Sequence, residues 1–167
     1  SGLSYRVLHY ISEHFTEDIS LESTAQALGV SRIHLSHIFS QQLRVNFREY
    51  INALRIDHAC SLLRRVMDEK LPIVPVSTNF SRYDIFHADF IDKLEAIRSR
   101  YDVPARYLHI ELTETVFIGG SKRMNSVIEQ LHDRGYTVQM DDFGSGYSSL
   151  NVLKDTDVDC FKLDMDF

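Results

Sequence analysis

The chain has 167 residues, 44% of them hydrophobic and 25% charged, a composition of one or two ordered domains that excludes a disordered or low-complexity polymer. No apolar run approaches the roughly 20 residues that cross a bilayer, so no membrane partner is expected, and a cytoplasmic location is. The formal charge of −6 is unevenly divided: up to Arg65 seven Lys+Arg face six Asp+Glu, whereas beyond it eleven face eighteen, so the first part is near +1 and the acidic excess belongs to the second.

In chain order, Val7, Leu8, Ile11 and Phe15 recur at helical spacing, and Thr16-Glu17-Asp18 ends the pattern. Ser20 is a good N-cap for a short helix whose stripe is Leu21, Ala25 and Leu28 and whose end is Gly29. Ser31 caps the next helix, with Leu35, Ile38 and Phe39 on its buried face, and a longer helix runs from about Asn46 to Arg65. No strand signal precedes Lys70. Beyond it, Leu71 to Asn79, Tyr107 to Glu114, Thr137 to Phe143 and Cys160 to Phe167 read as short apolar strands. Helical stretches separate them: Phe86, Phe90, Leu94 and Ile97, then Met124, Val127, Ile128 and Leu131, then a shorter one near Ser148 to Leu153. Strands alternating with helices imply parallel pairing through right-handed crossovers. Cys60 and Cys160 lie in segments of different character, which excludes a disulfide framework or a CxxC metal site, and both are expected to be buried thiols. The opening Ser1-Gly2, without methionine, reads as a cloning scar or a trimmed fragment.

Two helices joined at Gly29-Val30-Ser31 have the spacing that sets a second helix into a DNA major groove. With Leu35, Ile38 and Phe39 inward, the opposite face presents Arg32, Ile33, Ser36 and His37. Arg32 and His37 would reach phosphates or base edges, Ser36 a base edge, and Ile33 a thymine methyl. The same spacing also suits a helical packing module with no DNA role. Residues 4–65, including "DISLESTAQALGVSRIHLSHIFSQQLRVNFREYINALR" with Phe47, Tyr50, Ile51 and Arg55 in an F-x-x-Y-I-x-x-x-R pattern, resemble the first half of an AraC-type DNA-binding domain. That resemblance implies base reading by Ile33, Ser36 and His37 beside Arg32. It also implies a second helix-turn-helix head, which has no counterpart here. One head of charge near +1 is expected to bind DNA weakly as a monomer, with affinity falling steeply in salt.

In the second part, Asn79, Glu111, Asp141 and Asp142 each lie at or near the C-terminal end of a predicted parallel strand, where barrel active sites sit. An amide and three carboxylates make a plausible half-shell for Mg²⁺ or Mn²⁺, and Lys162 on the last strand would orient a nucleophilic water. Taken singly, each has a structural reading: Asn79 as a strand-ending turn, Asp141-Asp142 as a helix cap. Together, "PVSTNFSR", "LHIELTET", "MDDFGSGYSSL" and "DCFKLD" resemble successive strands of the EAL-type cyclic-di-GMP phosphodiesterase barrel, from about Leu63 onward. The resemblance implies metal ligation by Asn79, Glu111, Asp141 and Asp142, assistance to the attacking water by Lys162, and a Glu114 that anchors the loop Gly144 to Ser149. The family's naming Glu-Ala-Leu strand has no counterpart. Glu95-Ala96 falls in a helix, and the later strands that bring a further glutamate and glutamine are not in the sequence.

The expected fold class is therefore α plus α/β, with a three-to-four-helix helix-turn-helix unit over 1–65 and a partial (β/α) barrel of about four parallel strands over 66–167. The segment Leu62 to Arg65 reads as either family without a linker, which is the arrangement of a recombined or fused chain. The leading expectation is a DNA-binding regulator-like module joined to an incomplete EAL-type module with negligible hydrolysis and weak metal binding. One alternative is a cyclic-di-GMP phosphodiesterase active only when a homo-oligomer completes the barrel and covers its sheet edges. Another is an engineered or recombined chimera with no physiological partner.

Overall fold

In the computed structural model, residues 2–117, 121–144 and 156–163 are described. They form two compact units, residues 1–55 and 56–167. The division falls inside one helix, after Arg55 and so seven to ten residues before the junction expected at Leu62 to Arg65.

The first unit is helical: α1 (Gly2–His14), α2 (Leu21–Leu28), α3 (Arg32–His37), a π-helical turn (Ile38–Leu43) and the start of α4 (Phe47–Asp68). Ser20 and Ser23 form a reciprocal cap at the head of α2, each backbone N–H donating to the other's hydroxyl at 2.9 and 3.0 Å. Gly29 takes φ 68°, which a side chain would strain, and the N–H of Val30 donates to the carbonyl of Ala25 at 3.0 Å to close the helix. Ser31 then accepts from the N–H of His34 at 3.1 Å and starts α3. Val7, Ile11, Ala25, Leu35, Ile38, Phe39, Phe47 and Ile51 form the core, with the Phe39 ring edge-on to Phe47 at 5.1 Å. The predicted inward face of α3 is thus buried, although Ile38 and Phe39 belong to a π turn where an α-helix was expected. Arg55 donates to the carbonyls of Phe15 and Glu17, each at 2.7 Å, and so ties the α1–α2 loop to α4.

In the second unit, after the rest of α4, come β1 (Val76–Phe80), α5 (Arg82–Ile85), α6 (Phe90–Arg100), β2 (Leu108–Thr113), α7 (Ser121–Asp133), β3 (Thr137–Phe143) and β4 (Cys160–Leu163). The strands pair in parallel in the order β1-β2-β3-β4. The mixture of helices with this four-strand parallel sheet is the partial (β/α) barrel expected for the second part. The first strand begins five residues later than predicted. Pro72 and Pro75 cannot donate to a ladder, and Leu71 and Val74 stay exposed. The helix predicted from Phe86 begins only at Phe90, and Phe86 instead closes a separate turn, α5, whose head is a capping box between Ser81 and Asp84. The helix expected near Ser148 to Leu153 lies outside the described residues.

One sheet face carries Phe80, Leu108, Ile110, Leu112, Val138 and Met140 against Leu94 of α6 and Met124, Ile128 and Leu131 of α7. Burying these side chains is the main stabilising term of the unit, at roughly 1.5–3 kcal/mol for each fully buried aliphatic. Glu95, within the misleading Glu95-Ala96 pair, is structural. It receives two bonds from the Arg98 guanidinium at 3.0 and 2.7 Å and one from the Tyr136 hydroxyl, and Arg98 also donates to the carbonyl of Val103 at 2.6 Å. The Arg98 hydrogen bonds hold the Glu95 carboxyl below its ordinary pKa, and burial together with the Glu95 charge raises that of Tyr136.

The expectation of two buried thiols is half right. Cys60 is fully buried, whereas Cys160 is exposed: it pairs with Gln139 and so lies on the face of the sheet opposite Met140 and the packed helices. Desolvation pushes the Cys60 thiol from 9.0 up to about 11. Its contribution to stability is therefore complete below pH 9.0 and is lost as the pH rises through about 11. A thiol reagent at neutral pH is expected to label Cys160 in the native protein and Cys60 only in denaturant, with mass spectrometry counting the adducts; rapid native labelling of both would contradict this packing.

Candidate functional site at the strand ends

The sheet's other face is polar, and the parallel register decides which groups share it. Asn79 is paired with Glu111 and Glu111 with Gln139, while one repeat further on Thr113 is paired with Asp141. Paired residues in a parallel ladder point the same way, so Asn79, Glu111, Gln139 and Asp141 lie on one side. Past Asp141 the ladder slips between Met140 and Phe143, and Asp142 takes φ 55°, the left-handed region that aspartate tolerates better than most residues. The slip returns Phe143 to the apolar face, where its ring meets Phe161 edge-on at 5.4 Å. Asp142 is left exposed at the bend.

Glu111 is only 5% exposed, and a carboxylate so placed needs a compensating cation. Lys162 supplies it: the ammonium, carried in from β4, donates to the Glu111 carboxylate. That hydrogen bond, with further charge from Asp141, holds the lysine above its ordinary pKa of 10.5. Glu114, 2% exposed at the start of a short 3₁₀ turn (Glu114–Phe117), accepts from the Gly144 N–H at 3.2 Å. Gly144 has φ 102°, which only glycine adopts with ease. The rest of the loop expected to hang from Glu114, residues 145–149, lies outside the described residues. Alongside these groups, the Gln139 amide meets Nδ1 of His109 at 2.9 Å on the same face. Sequence reasoning missed that pair, although the polar alternation of His109, Glu111 and Thr113 within a strand of buried leucines and isoleucine is its signal.

The donor set suits a hard divalent ion, since an amide oxygen and carboxylates are what Mg²⁺ and Mn²⁺ prefer. Asn79, Glu111 and Asp141 share a face, with Asp142 at its bend. Among the described residues no three His, Cys, Asp or Glu side chains gather at a common point. Lys162 occupies the Glu111 carboxylate that a cation would also need.

In the first unit, Arg32, Ile33, Ser36 and His37 all stand exposed on α3, as does His34. Ile33 is 72% exposed, and Nε of Arg32 lies 3.8 Å from the Glu22 carboxylate. An exposed pair of this kind leaves the guanidinium available to another anion.

The ion pair in the second unit has a pH signature. A lysine whose folded pKa is raised keeps its stabilising contribution below 10.5 and loses it as the pH rises through the folded value. Glu111→Gln is expected to bring the Lys162 titration down toward 10.5, as followed by NMR of the Lys162 Cε. An unchanged titration would mean that the contact is not formed in solution.

The chain is similar to several known proteins. It is 29% identical over 110 residues to the cyclic di-GMP phosphodiesterase PA2567 of Pseudomonas aeruginosa, covering 66% of this chain and 19% of that protein. It is 34% identical over 105 residues to the uncharacterized HTH-type transcriptional regulator YijO of Escherichia coli, covering 63% of this chain and 36% of that one. The solved structure of the PaMucR phosphodiesterase in complex with c-di-GMP superposes with a TM-score of 0.60 at 28% identity, covering 69% of this chain and 49% of that chain. The chain thus spans well under two thirds of the relatives it matches. No helix among the described residues is long and apolar enough to cross a membrane. A family model for the EAL domain matches residues 15–167. It runs through most of the segment read above as AraC-type, so that reading does not stand as a family assignment, and the chain belongs to the EAL domain family.

Proposed function

We propose that the second unit binds cyclic-di-GMP and hydrolyses it when further strands complete its barrel, a second copy of the chain being one source of them. The observation that carries this is the Lys162–Glu111 pair, set on the polar face of a parallel sheet beside Asn79 and Asp141. The likeness to PA2567 and to PaMucR with its bound c-di-GMP supports the same ligand. This replaces the sequence-based preference for an inactive module. Asn79, Glu111, Asp141 and Asp142 would hold Mg²⁺ or Mn²⁺, which would polarise a phosphodiester oxygen and lower the pKa of a bound water. Lys162, which the metal would displace from the Glu111 carboxylate, would orient the attacking water and offset the charge that develops on the phosphoryl oxygens. Glu114 would position the loop that begins at Gly144. The four described strands cannot close a barrel, so activity should depend on completion of the sheet.

Turnover of cyclic-di-GMP with Mn²⁺ is expected to rise more steeply than linearly with protein concentration and to vanish on dilution or with EDTA. Glu111→Gln and Lys162→Ala are each expected to lower it by about 10²–10³-fold. Wild-type rates in both variants would rule out the assignment.

A second role is favoured by one observation, the exposed face of α3 behind a helix pair capped by Ser20, Gly29 and Ser31. We infer that Arg32, Ile33, Ser36 and His37 contact DNA, a reading supported by the likeness to YijO. Binding to a palindromic duplex, followed by fluorescence anisotropy, is expected to be weak and to fall steeply between 50 and about 200 mM salt. Arg32→Ala should weaken it several-fold, and binding unaffected by that change and by salt would exclude the role.

A further inference from the structure

Glu111 and Lys162 are paired on unequal terms. The glutamate side chain is 6% exposed and the lysine side chain 41%. Glu111 is fixed in the middle of β2, between β1 and β3, with Asn79 and Gln139 beside it in register. So little of it meets water that its charge has to be offset by a cation. Lys162 stands on β4 and crosses β3 with its side chain alone, so rotation about its four-carbon stem returns the ammonium to solvent without moving a strand. The lysine can leave and the glutamate cannot.

The groups around the pair are those a divalent ion would use. Asn79 and Asp141 share the face and Asp142 lies at its bend, so an arriving ion meets oxygen donors and an excess of negative charge. It meets the Glu111 carboxylate already bonded to an ammonium. An ion on the second oxygen of that carboxylate would still face the ammonium at ion-pair range, where two cations with little water between them repel. His109, on the same face, meets the Gln139 amide at 2.9 Å, and Lys162 is the cation on Glu111.

We propose that Lys162 is a built-in competitor of the divalent ion, the ammonium and the metal excluding each other on the Glu111 carboxylate. The exchange rests on the reading of this face as a divalent-cation site and adds how that site is loaded. The lysine lowers the affinity of the face for metal and raises the metal concentration at which it fills. Each metal that binds sets one ammonium free beside the carboxylates, and the buried glutamate keeps a cation on either side of the exchange.

The test measures Mn²⁺ affinity of the full chain at fixed pH from the electron paramagnetic resonance of the free ion, with circular dichroism to check the fold. Lys162→Met is expected to bind Mn²⁺ about tenfold or more tightly than the wild type, since a like charge at ion-pair range has gone. Lys162→Gln, which keeps a neutral donor for Glu111, is expected to tighten binding in the same direction and serves if the methionine variant does not fold. In the wild type, saturation with Mg²⁺ should move the NMR signal of the Lys162 Cε to the position of a solvent-exposed lysine. Equal or weaker Mn²⁺ binding in a folded variant overturns the exchange, as does Mg²⁺ saturation that leaves the Lys162 signal in place, provided Glu111→Gln still abolishes binding; the metal-site reading then stands without it. Binding by the variants and none by the wild type supports the exchange in its strongest form. Binding by neither, or binding that survives Glu111→Gln, overturns the exchange and the metal-site reading together.

Discussion

A carboxylate buried in the middle of a β-sheet must find a cation, and the second unit is arranged around that need. Glu111 sits on β2, with neighbouring strands on both sides and only 5% of its surface open to water. Lys162 reaches it from β4, two strands away in the order, so the charge pair spans β3 and ties the far strand to the centre. Removing the lysine would leave the Glu111 carboxylate buried without its partner, the costly way to break such a pair. The same constraint gives the polar face its chemistry, because an ammonium and a carboxylate are held side by side there.

The two faces of the sheet divide the labour. Leu108, Ile110 and Leu112 alternate with His109, Glu111 and Thr113 along β2, so a single strand supplies both the packing surface for α6 and α7 and the groups of the candidate site. Parallel pairing without slippage keeps Asn79, Glu111 and Gln139 in one row. Among the described residues the alternation is reset at Asp142, where two acidic residues follow each other. A regular strand would have placed Asp141 and Asp142 on opposite faces and turned Phe143 away from the core. The bulge keeps Phe143 buried and leaves Asp142 at the edge of the site.

The first unit is stabilised differently. Its helices are short, and short helices are marginal alone, so caps and loop ties carry a large share of the specification. Ser20, Gly29 and Ser31 end and restart the chain direction within a few residues, and Arg55 satisfies the carbonyls of the α1–α2 loop. The exposed side of α3 is what remains after Leu35, Ile38 and Phe39 have gone inward. Its isoleucine and histidines are not needed for packing, which is the reason to look for a ligand there.

Much of this was legible in the residues. Helical spacing in Val7, Ile11 and Leu35, the caps at Ser20 and Ser31, and the glycine stop at Gly29 are local signals, and local signals survive because they depend on neighbours within a turn. The alternation of strands and helices likewise implied parallel pairing, and the apolar runs named the strands to within a few residues, with the start of β1 displaced by prolines whose missing N–H groups count only when a ladder forms. The residues of the candidate site could be named from the sequence too, since Asn79, Glu111, Asp141, Asp142 and Lys162 lie in the C-terminal halves of their strands, while the roles given to them remain the proposal. What the order of residues could not decide was which of them meet. The Lys162–Glu111 pair joins residues far apart in the chain, the His109–Gln139 contact depends on register, and the exposure of Cys160 follows from its pairing with Gln139 on the polar face. Each is set by strand order and by the pairing of one strand against the next, quantities that arise from burial of the whole apolar face and are written in no single segment.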